Sequence, residues 1–225
     1  MLYKIKRNIR VKLGLPISSK INGEKGIIEI GHRKYVGGKW DEMGLLQFQF
    51  LIKQGLKPED VFLDIACGSL RAGIHVIPYL NKGNYLGIEK EKLLIDKGVK
   101  CELNAELKKS KQPELIVSDS FEFELFSKKP NYAIAQSLFS HLPANMINDC
   151  LLKLSKNFVK GGAFYATFFT TDKKIENPKE SHDHGTFRFT NEEITKFGTN
   201  NGWDVYIIGD WKHPRKQIMV QYTLK

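Results

Sequence analysis

Hydrophobic positions after residue 58 fall into short apolar runs that alternate with amphipathic segments. The runs are VFLDIA, YLGIEK, PELIVSDS, NYAIAQSL and GGAFYATFF. Several segments between them have the apolar spacing of helices, among them RAGIHVIPYL, KLLIDKGVKCELNAEL and ANMINDCLLKLSKNFV. Strands that alternate with helices predict parallel βαβ units, and therefore an α/β fold with a doubly wound, Rossmann-like sheet.

The C-terminal end has a different pattern. TNEEITKFGTNNGW predicts a helix with Thr190 as its N-cap, and Glu193 stands at the spacing of a capping box. DVYIIGDW and KQIMVQYTL then predict two strands joined only by KHPR. This connection is too short for a parallel crossover, so the two strands should form an antiparallel hairpin. The sequence thus predicts seven strands, of which the last is antiparallel.

The first 39 residues form a separate, basic segment, which precedes a predicted domain over residues 40–225. Apolar residues at helical spacing predict a helix over residues 1–15. Residues 23–38 are predicted to be irregular. The following KWDEMGLLQFQFLIKQGL predicts an amphipathic helix that ends near Gly55.

Charge is unevenly distributed along the chain, whose formal net charge is +10. Residues 1–39 hold ten Lys or Arg against two acids, a net +8, and the remainder is close to neutral at +2. This distribution disfavours a broadly basic nucleic-acid-binding face but permits contact with an anionic lipid or substrate. The helix over residues 1–15 is expected either to pack on the domain or to lie on a membrane surface.

The expected location is the cytoplasm, with a peripheral position at the inner membrane face as the alternative. No apolar run approaches the roughly 20 residues that span a bilayer, and the basic N-terminus lacks the apolar region of a secretory signal. The three cysteines are scattered and odd in number, as expected for free thiols in a reducing compartment.

The turn VFLDIACGSLRAG, after the first predicted strand, is the expected ligand site. In open α/β sheets, ligands bind beyond the carboxyl ends of the strands. Glu89 ends the second strand 21 residues after Gly68, where a carboxylate can accept hydrogen bonds from both ribose hydroxyls of an adenosine. An adenosine-bearing cofactor is therefore expected, and the glycine fingerprint of NAD sites is matched at one position of three.

The ordered series of motifs resembles the class I methyltransferases over roughly residues 40–225. The matching parts are the turn Asp64 to Ser69, Glu89, Asp119 in SDS, QSLFSHLP after the fourth strand, GGAFYATFF and the terminal hairpin. VGGKWDEMGLLQFQFL and WKHPRKQ are similar to bacterial members without a settled acceptor. Ala66 and Leu70 stand where the family pattern has its first and third glycines.

The resemblance implies S-adenosylmethionine (SAM) as cofactor and gives roles to individual residues. Asp64 would orient the turn and the cofactor's amino group, Arg71 would pair with its carboxylate, and Glu89 would bind ribose. Gln136 would lie near the sulfonium, and Asp119 would reach the adenine amino group. The other implied cofactor-binding residues are Ala66, Cys67, Gly68, Ser69 and Ser120. The alternatives are a helix-capping acid for Asp64, a turn residue for Asp119, a buried amide for Gln136, an apolar filler of the turn for Cys67, and plain surface positions for Glu89 and Arg71.

Acceptor deprotonation needs a base near neutrality, and histidines are the candidates. His141 follows the fourth strand and is the first choice; His182 and His184 lie in the loop NPKESHDHGTFRF. His213 joins the last two strands and is either structural or beside the acceptor. No metal site is predicted, although HDH contains possible ligand types.

The predicted function is SAM-dependent methylation, on oxygen or nitrogen, of a small molecule or a glycan. AQSLFS stands where methyltransferases of adenine or amide nitrogens carry an Asn/Asp-Pro-Pro-aromatic run, which disfavours those acceptors. The alternatives are an RNA methyltransferase, a non-catalytic SAM-binding protein of the same fold, and an NAD oxidoreductase.

Overall fold

A doubly wound sheet runs through the computed structural model, which describes residues 22–183 and 186–225. Its spatial order is β3–β2–β1–β4–β5–β8–β7; the first five strands are parallel, and β8 is antiparallel to both β5 and β7. A two-residue strand, β6, also pairs in parallel with the end of β5. The strands are β1 (Phe62–Ile65), β2 (Tyr85–Glu89), β3 (Glu114–Val117), β4 (Tyr132–Ala135), β5 (Ala163–Thr170), β6 (Arg188–Phe189), β7 (Trp203–Asp210) and β8 (Ile218–Leu224).

Helices cover both faces of the sheet. In the described part of the chain, none is both long and apolar enough to cross a membrane. The helices are α1 (Gly23–Ile30), α2 (His32–Tyr35), α3 (Trp40–Lys53), α4 (Gly73–Tyr79), α5 (Lys92–Cys101), α6 (Ala105–Lys111), α7 (Ala144–Lys156) and α8 (Asn191–Thr199).

Two hydrophobic clusters, one on each face, hold the sheet in place. Neighbouring residues of β5 show the division, since Phe164 belongs to the cluster under α7 and α8 while Tyr165 belongs to the cluster under α3 and α4. Strands buried on both faces have nearly continuous apolar sequences. This explains why the central strands could be predicted from short apolar runs alone.

The predicted α/β class, the seven main strands and the C-terminal hairpin are confirmed. The capping box is also present: the Thr190 N–H donates to Glu193 Oε2 (2.9 Å) and the Glu193 N–H donates to Thr190 Oγ1 (3.2 Å). The sheet has one strand more than predicted, because β6 was too short to leave a pattern. The predicted helix over residues 1–15 lies outside the described residues.

Two predictions of local structure were wrong. Residues 23–38 are not irregular but hold α1 and α2. The segment predicted as one helix over 92–107 is divided into α5 and α6, because the Asn104 side chain caps the second helix by accepting from the Leu107 N–H (2.7 Å).

Candidate functional site

A cavity of about 760 Å³ lies at the carboxyl ends of the parallel strands. Residues after β1, β2, β3, β4 and β5 line it, together with α2, α3 and the β7–β8 connection. Parallel strands bring all their carboxyl ends to one edge of the sheet, so the polar residues that follow them converge there. Its size falls within the range of ligand pockets, roughly 300–1,000 Å³.

The turn after β1 has a left-handed backbone at three alternate residues. The φ angles are +59° at Ala66, +56° at Gly68 and +68° at Leu70. This conformation costs an L-residue roughly 1–2 kcal/mol, and only glycine adopts it freely. Ala66 and Leu70, which replace two glycines of the resembling pattern, therefore keep the backbone shape that glycines would give.

Close packing of two helices holds this turn. A Cβ on Gly44 of α3 would lie 2.6 Å from the Arg71 carbonyl oxygen, and a Cβ on Gly98 of α5 would lie 2.7 Å from the Ser69 carbonyl oxygen. Ser69 is fully buried beneath the turn and does not line the cavity, whereas Ala66, Cys67 and Gly68 do.

Glu89, at the end of β2, is fixed by two backbone donors. Its Oε2 accepts from the Gly68 N–H and its Oε1 from the Glu91 N–H, both at 3.0 Å. The residue is only 6% exposed, and burial raises the pKa of its carboxyl, while the two backbone N–H groups act to lower it. The carboxylate is thereby held at a single position in the cavity lining.

Asp64, at the end of β1, is 4% exposed and accepts from the Tyr85 hydroxyl (2.8 Å). Burial raises the pKa of its carboxyl to about 7, although Tyr85 and the Arg71 charge act to lower it. A cation in the cavity would favour the ionised form. Burial and the neighbouring carboxylates also raise the pKa of Cys67, which therefore remains a thiol.

The end of β3 contributes Ser118, Asp119 and Phe121 to the lining. Asp119 is exposed at the cavity rim. Ser120 lies outside the lining, and its N–H donates to Ser118 Oγ (3.2 Å). Ser118 thus lines the cavity in place of Ser120, which was the serine predicted from the sequence.

Gln136, after β4, joins two residues from distant parts of the chain. Its Oε1 accepts from Arg71 Nη2 (2.6 Å), and its Nε2 lies 3.1 Å from His213 Nε2. Arg71 also donates through Nη1 to the carbonyl oxygens of Val36 (2.9 Å) and Gly38 (3.2 Å). Burial lowers the pKa of Arg71 to about 10, so its guanidinium is charged at neutral pH.

The β7–β8 connection supplies His213 and Arg215. His213 is buried and stacks on Trp211, with ring centroids 5.4 Å apart. Burial, and then the charges of Arg215, Arg71 and Lys39, lower the pKa of His213 to about 4, so its ring is neutral at physiological pH. Sequence reasoning left its position undecided; it lies in the cavity lining.

His141 and His182 both line the cavity and are joined by two hydrogen bonds. The His182 N–H donates to the His141 carbonyl oxygen, and His141 Nδ1 donates to the His182 carbonyl oxygen, both at 3.1 Å. The second bond makes Nε2 the basic nitrogen of the neutral His141 ring. His184 lies outside the described residues.

Asp183 links three segments of the cavity lining by hydrogen bonds. It accepts from the Tyr35 hydroxyl through Oδ2 (2.9 Å) and from Lys90 Nζ through Oδ1 (2.6 Å). The Tyr35 oxygen in turn accepts from the Gly23 N–H (2.8 Å). This Asp183 clasp (Tyr35, Lys90 and Asp183) joins the N-terminal helices, the end of β2 and the loop after β5. No sequence motif indicated it.

Among the described residues, no group of three or more His, Cys, Asp or Glu side chains is arranged to hold a metal ion.

No protein-family model matches the sequence. Solved structures do match. Magnesium protoporphyrin IX methyltransferase from Synechocystis PCC 6803, crystallised with SAM, is 14% identical with a TM-score of 0.64, and the match covers 93% of this chain and 99% of that one. An O-methyltransferase family protein from Burkholderia thailandensis is 11% identical with a TM-score of 0.68, covering 100% of this chain and 70% of that one.

A glycopeptide N-methyltransferase complexed with SAM is 13% identical with a TM-score of 0.61, and the match covers 81% of this chain and 94% of that chain. At such identities the likeness concerns architecture. The protein therefore has the fold of the class I SAM-dependent methyltransferases.

Proposed function

We propose that this protein is a SAM-dependent methyltransferase that acts on oxygen or nitrogen of a small molecule or a glycan unit. The observation that carries the proposal is the buried Glu89 carboxylate, held by the Gly68 N–H above a left-handed turn. A carboxylate fixed at the end of β2 is suited to accept hydrogen bonds from two vicinal ribose hydroxyls.

The chain's own residues fit this cofactor at both of its ends. Glu89, Ser118 and Asp119 offer oxygens to the ribose and the adenine amino group. Asp64 has a pKa of about 7, and the cofactor's ammonium would stabilise its ionised carboxylate. Arg71 has no carboxylate within 4 Å among residues 22–183 and 186–225, and its buried Nε lacks a hydrogen-bond partner there; the cofactor's carboxylate would supply the missing anion.

Catalysis by this site consists mainly of alignment. The bound cofactor supplies an electrophilic methyl group on a sulfonium, and the protein has to hold the acceptor in line with it. His141 is the proposed base, since its Nδ1–H is directed to a backbone carbonyl and Nε2 can take the acceptor's proton. His182 lies beside it and would help to enclose the acceptor.

The acceptor class is inferred from the remaining lining. The rest of the lining has an apolar wall, formed by Leu138, Leu142, Met146 and Phe169. It also includes Ser137 and Gln217, whose polar side chains are hydrogen-bonded to each other (2.9 Å). Such a mixture suits a compact organic molecule. Structures with this fold include a porphyrin methyltransferase and a glycopeptide N-methyltransferase, which is consistent with a small-molecule or glycan acceptor.

The test is calorimetric titration with S-adenosylhomocysteine (SAH), SAM and NAD, followed by assay of SAH release with pooled small-molecule and glycan acceptors. Saturable binding of SAH and SAM but not of NAD is expected. The Glu89→Gln variant should bind SAH more weakly. Binding without SAH release from any pool would favour a non-catalytic protein of the same fold, and absence of SAH binding would refute the proposal.

A further inference from the structure

The cavity end near the β7–β8 connection carries several positive charges. Arg71, Arg215 and Lys39 all lie near enough to His213 for their charges to oppose its protonation. Lys39 is paired with Glu42 at 3.0 Å, at an exposed position. No carboxylate of residues 22–183 or 186–225 lies within 4 Å of either guanidinium. Arg71 is partly buried, and a guanidinium withdrawn from water without an anion is unfavourable, which indicates that a ligand supplies one to Arg71; Arg215 is exposed, and its charge is hydrated.

Arg215 is held in position at the mouth of the cavity although it is exposed. Its Nη2 donates to the Gly37 carbonyl oxygen (2.7 Å), a contact between residues 178 apart in sequence. Gly37 has a φ of +98°, and a Cβ there would lie 3.2 Å from Arg215 Nη1. The remaining N–H groups of this guanidinium have no hydrogen-bond partner within the described residues. An arginine fixed in this way presents a planar set of donors suited to an oxyanion.

The charges of the cofactor sharpen this inference, which rests on the proposed function. SAM carries one carboxylate, one ammonium and one sulfonium. Its single negative group is matched by Arg71, the more buried of the two arginines, and its sulfonium adds a further positive charge. Arg215 is therefore left without an anion when the cofactor is bound.

We propose that the methyl acceptor carries an oxyanion, a carboxylate or a phosphate, which binds Arg215 at the mouth of the cavity beside His213. The acceptor's anionic group would thus be recognised by the segment that joins β7 and β8, while its nucleophile lies deeper, toward His141. This assigns the acceptor a chemical class, an acidic small molecule or an acidic glycan.

The test uses inorganic phosphate and benzoate as probes of the two oxyanions. Each is titrated at constant ionic strength into the full-length protein saturated with SAH, and binding is followed by amide chemical shifts. We expect saturable binding of at least one probe, and the stronger one identifies the acceptor's oxyanion. Arg215→Gln should weaken that binding about fivefold or more, since a charge-assisted hydrogen bond is lost.

Two further variants make the result specific. Lys216→Gln removes the same charge from the same connection but outside the cavity lining, and it should change anion binding less than about twofold. Arg71→Gln should weaken SAH binding more strongly than Arg215→Gln does. Equal losses of SAH affinity would assign Arg215 to the cofactor's carboxylate and overturn the proposal.

Two more outcomes would overturn it: saturable binding of neither anion to the wild-type protein, and equal weakening by Lys216→Gln and Arg215→Gln. Failure of SAH to bind is a separate result that refutes the proposed function. The anion titration is then repeated without SAH, where Arg215-dependent binding would still support an oxyanion site.

Discussion

The two ends of the cavity are built in different ways. At the end formed by β1 and β2, polar contacts join neighbouring βα units: Glu89 meets Gly68 and Tyr85 meets Asp64, each across 21 residues of sequence. At the end formed by β4 and the β7–β8 connection, contacts join distant segments: Arg71 and Gln136 are separated by 65 positions in sequence, and Gly37 and Arg215 by 178. Contacts of the first kind can be recognised as a local motif in the sequence, whereas contacts of the second kind cannot.

Charge follows the same division. The first end presents carboxylates, Asp64, Glu89 and Asp119, and the second presents guanidinium groups and neutral histidine. A fold that many enzymes share can bind its cofactor through local turns, while the residues that bind the acceptor come from distant segments and differ between enzymes. Substitutions at the first end should therefore alter cofactor affinity. At the second end Arg71 should also act on the cofactor, whereas a change at Arg215 should alter what else is bound.

The largest effect is expected at Glu89. Glu89→Gln replaces a carboxylate oxygen by an NH₂ group that opposes a backbone N–H, and it removes the charged acceptor offered to ribose. The loss of roughly 1.5–3 kcal/mol corresponds to about 10–100-fold weaker SAH binding in calorimetry. Glu106→Gln, on the exposed surface of α6, is the control. A change under about twofold for folded Glu89→Gln would remove Glu89 from the cofactor site.

A pH effect is expected at Asp64. Its folded pKa of about 7 lies above its unfolded value of roughly 4. The free protein therefore loses stability as pH rises between these values, since the folded state binds the extra proton. Binding of the SAH ammonium should lower the pKa of Asp64 and release a proton, so affinity should rise about tenfold from pH 6 to pH 8.

Calorimetry in buffers of different ionisation enthalpy measures the proton release directly. The Asp64→Asn variant should bind SAH with neither the released proton nor the rise in affinity. If the rise persists in that variant, another group is responsible for it.

The Asp183 clasp joins the N-terminal helices, the end of β2 and the loop after β5, and its loss should have a moderate effect. Tyr35→Phe removes the hydroxyl that donates to Asp183. A hydrogen bond of this kind contributes about 1 kcal/mol, so SAH should dissociate roughly fivefold faster in stopped-flow measurements. Tyr206→Phe, at an exposed position on β7, is the matched control. An unchanged dissociation rate would mean that the clasp does not retain the cofactor.

The smallest expected effects are changes in stability, and they distinguish the turn after β1 from the turn after β4. Ala66 and Ser137 both have left-handed backbones, with φ of +59° and +61°. Ala66→Gly should stabilise the protein by about 0.5–1 kcal/mol, because the left-handed strain it relieves, roughly 1–2 kcal/mol, exceeds the entropy that glycine adds to the unfolded chain. Ser137→Gly relieves the same strain but loses the bonds of its hydroxyl to Gln136 and Gln217, so it should be destabilising by about 1 kcal/mol. Denaturant unfolding measures both, and the same sign for both would contradict this distinction.

The sheet could be predicted because its signals are local. Apolar runs located the central strands, and a four-residue connection was enough to predict the hairpin. Local spacing also led to Glu89 and to the turn at Gly68. The roles of these residues stay a prediction, but their convergence on one cavity follows from parallel strand order.

The N-terminal helices could not be predicted, for a physical reason. α1 and α2 have eight and four residues, too few to be stable alone. They are stabilised by tertiary contacts: His32 Nε2 lies 2.6 Å from Glu102 Oε1, and Arg33 Nη2 lies 2.6 Å from Glu102 Oε2. The same dependence on distant partners concealed Arg215, whose neighbours are remote in sequence.

The contact between Gly68 and Val36 has a consequence for how this chain can vary. A Cβ at position 68 would lie 2.9 Å from Val36 Cγ1, and the φ of +56° there already disfavours one. Any side chain at position 68 would require the Val36 side chain, next to Tyr35, to shift. The N-terminal helices and the first turn thus form a sterically interlocked pair, in which a change on one side requires an accommodating change 32 residues away.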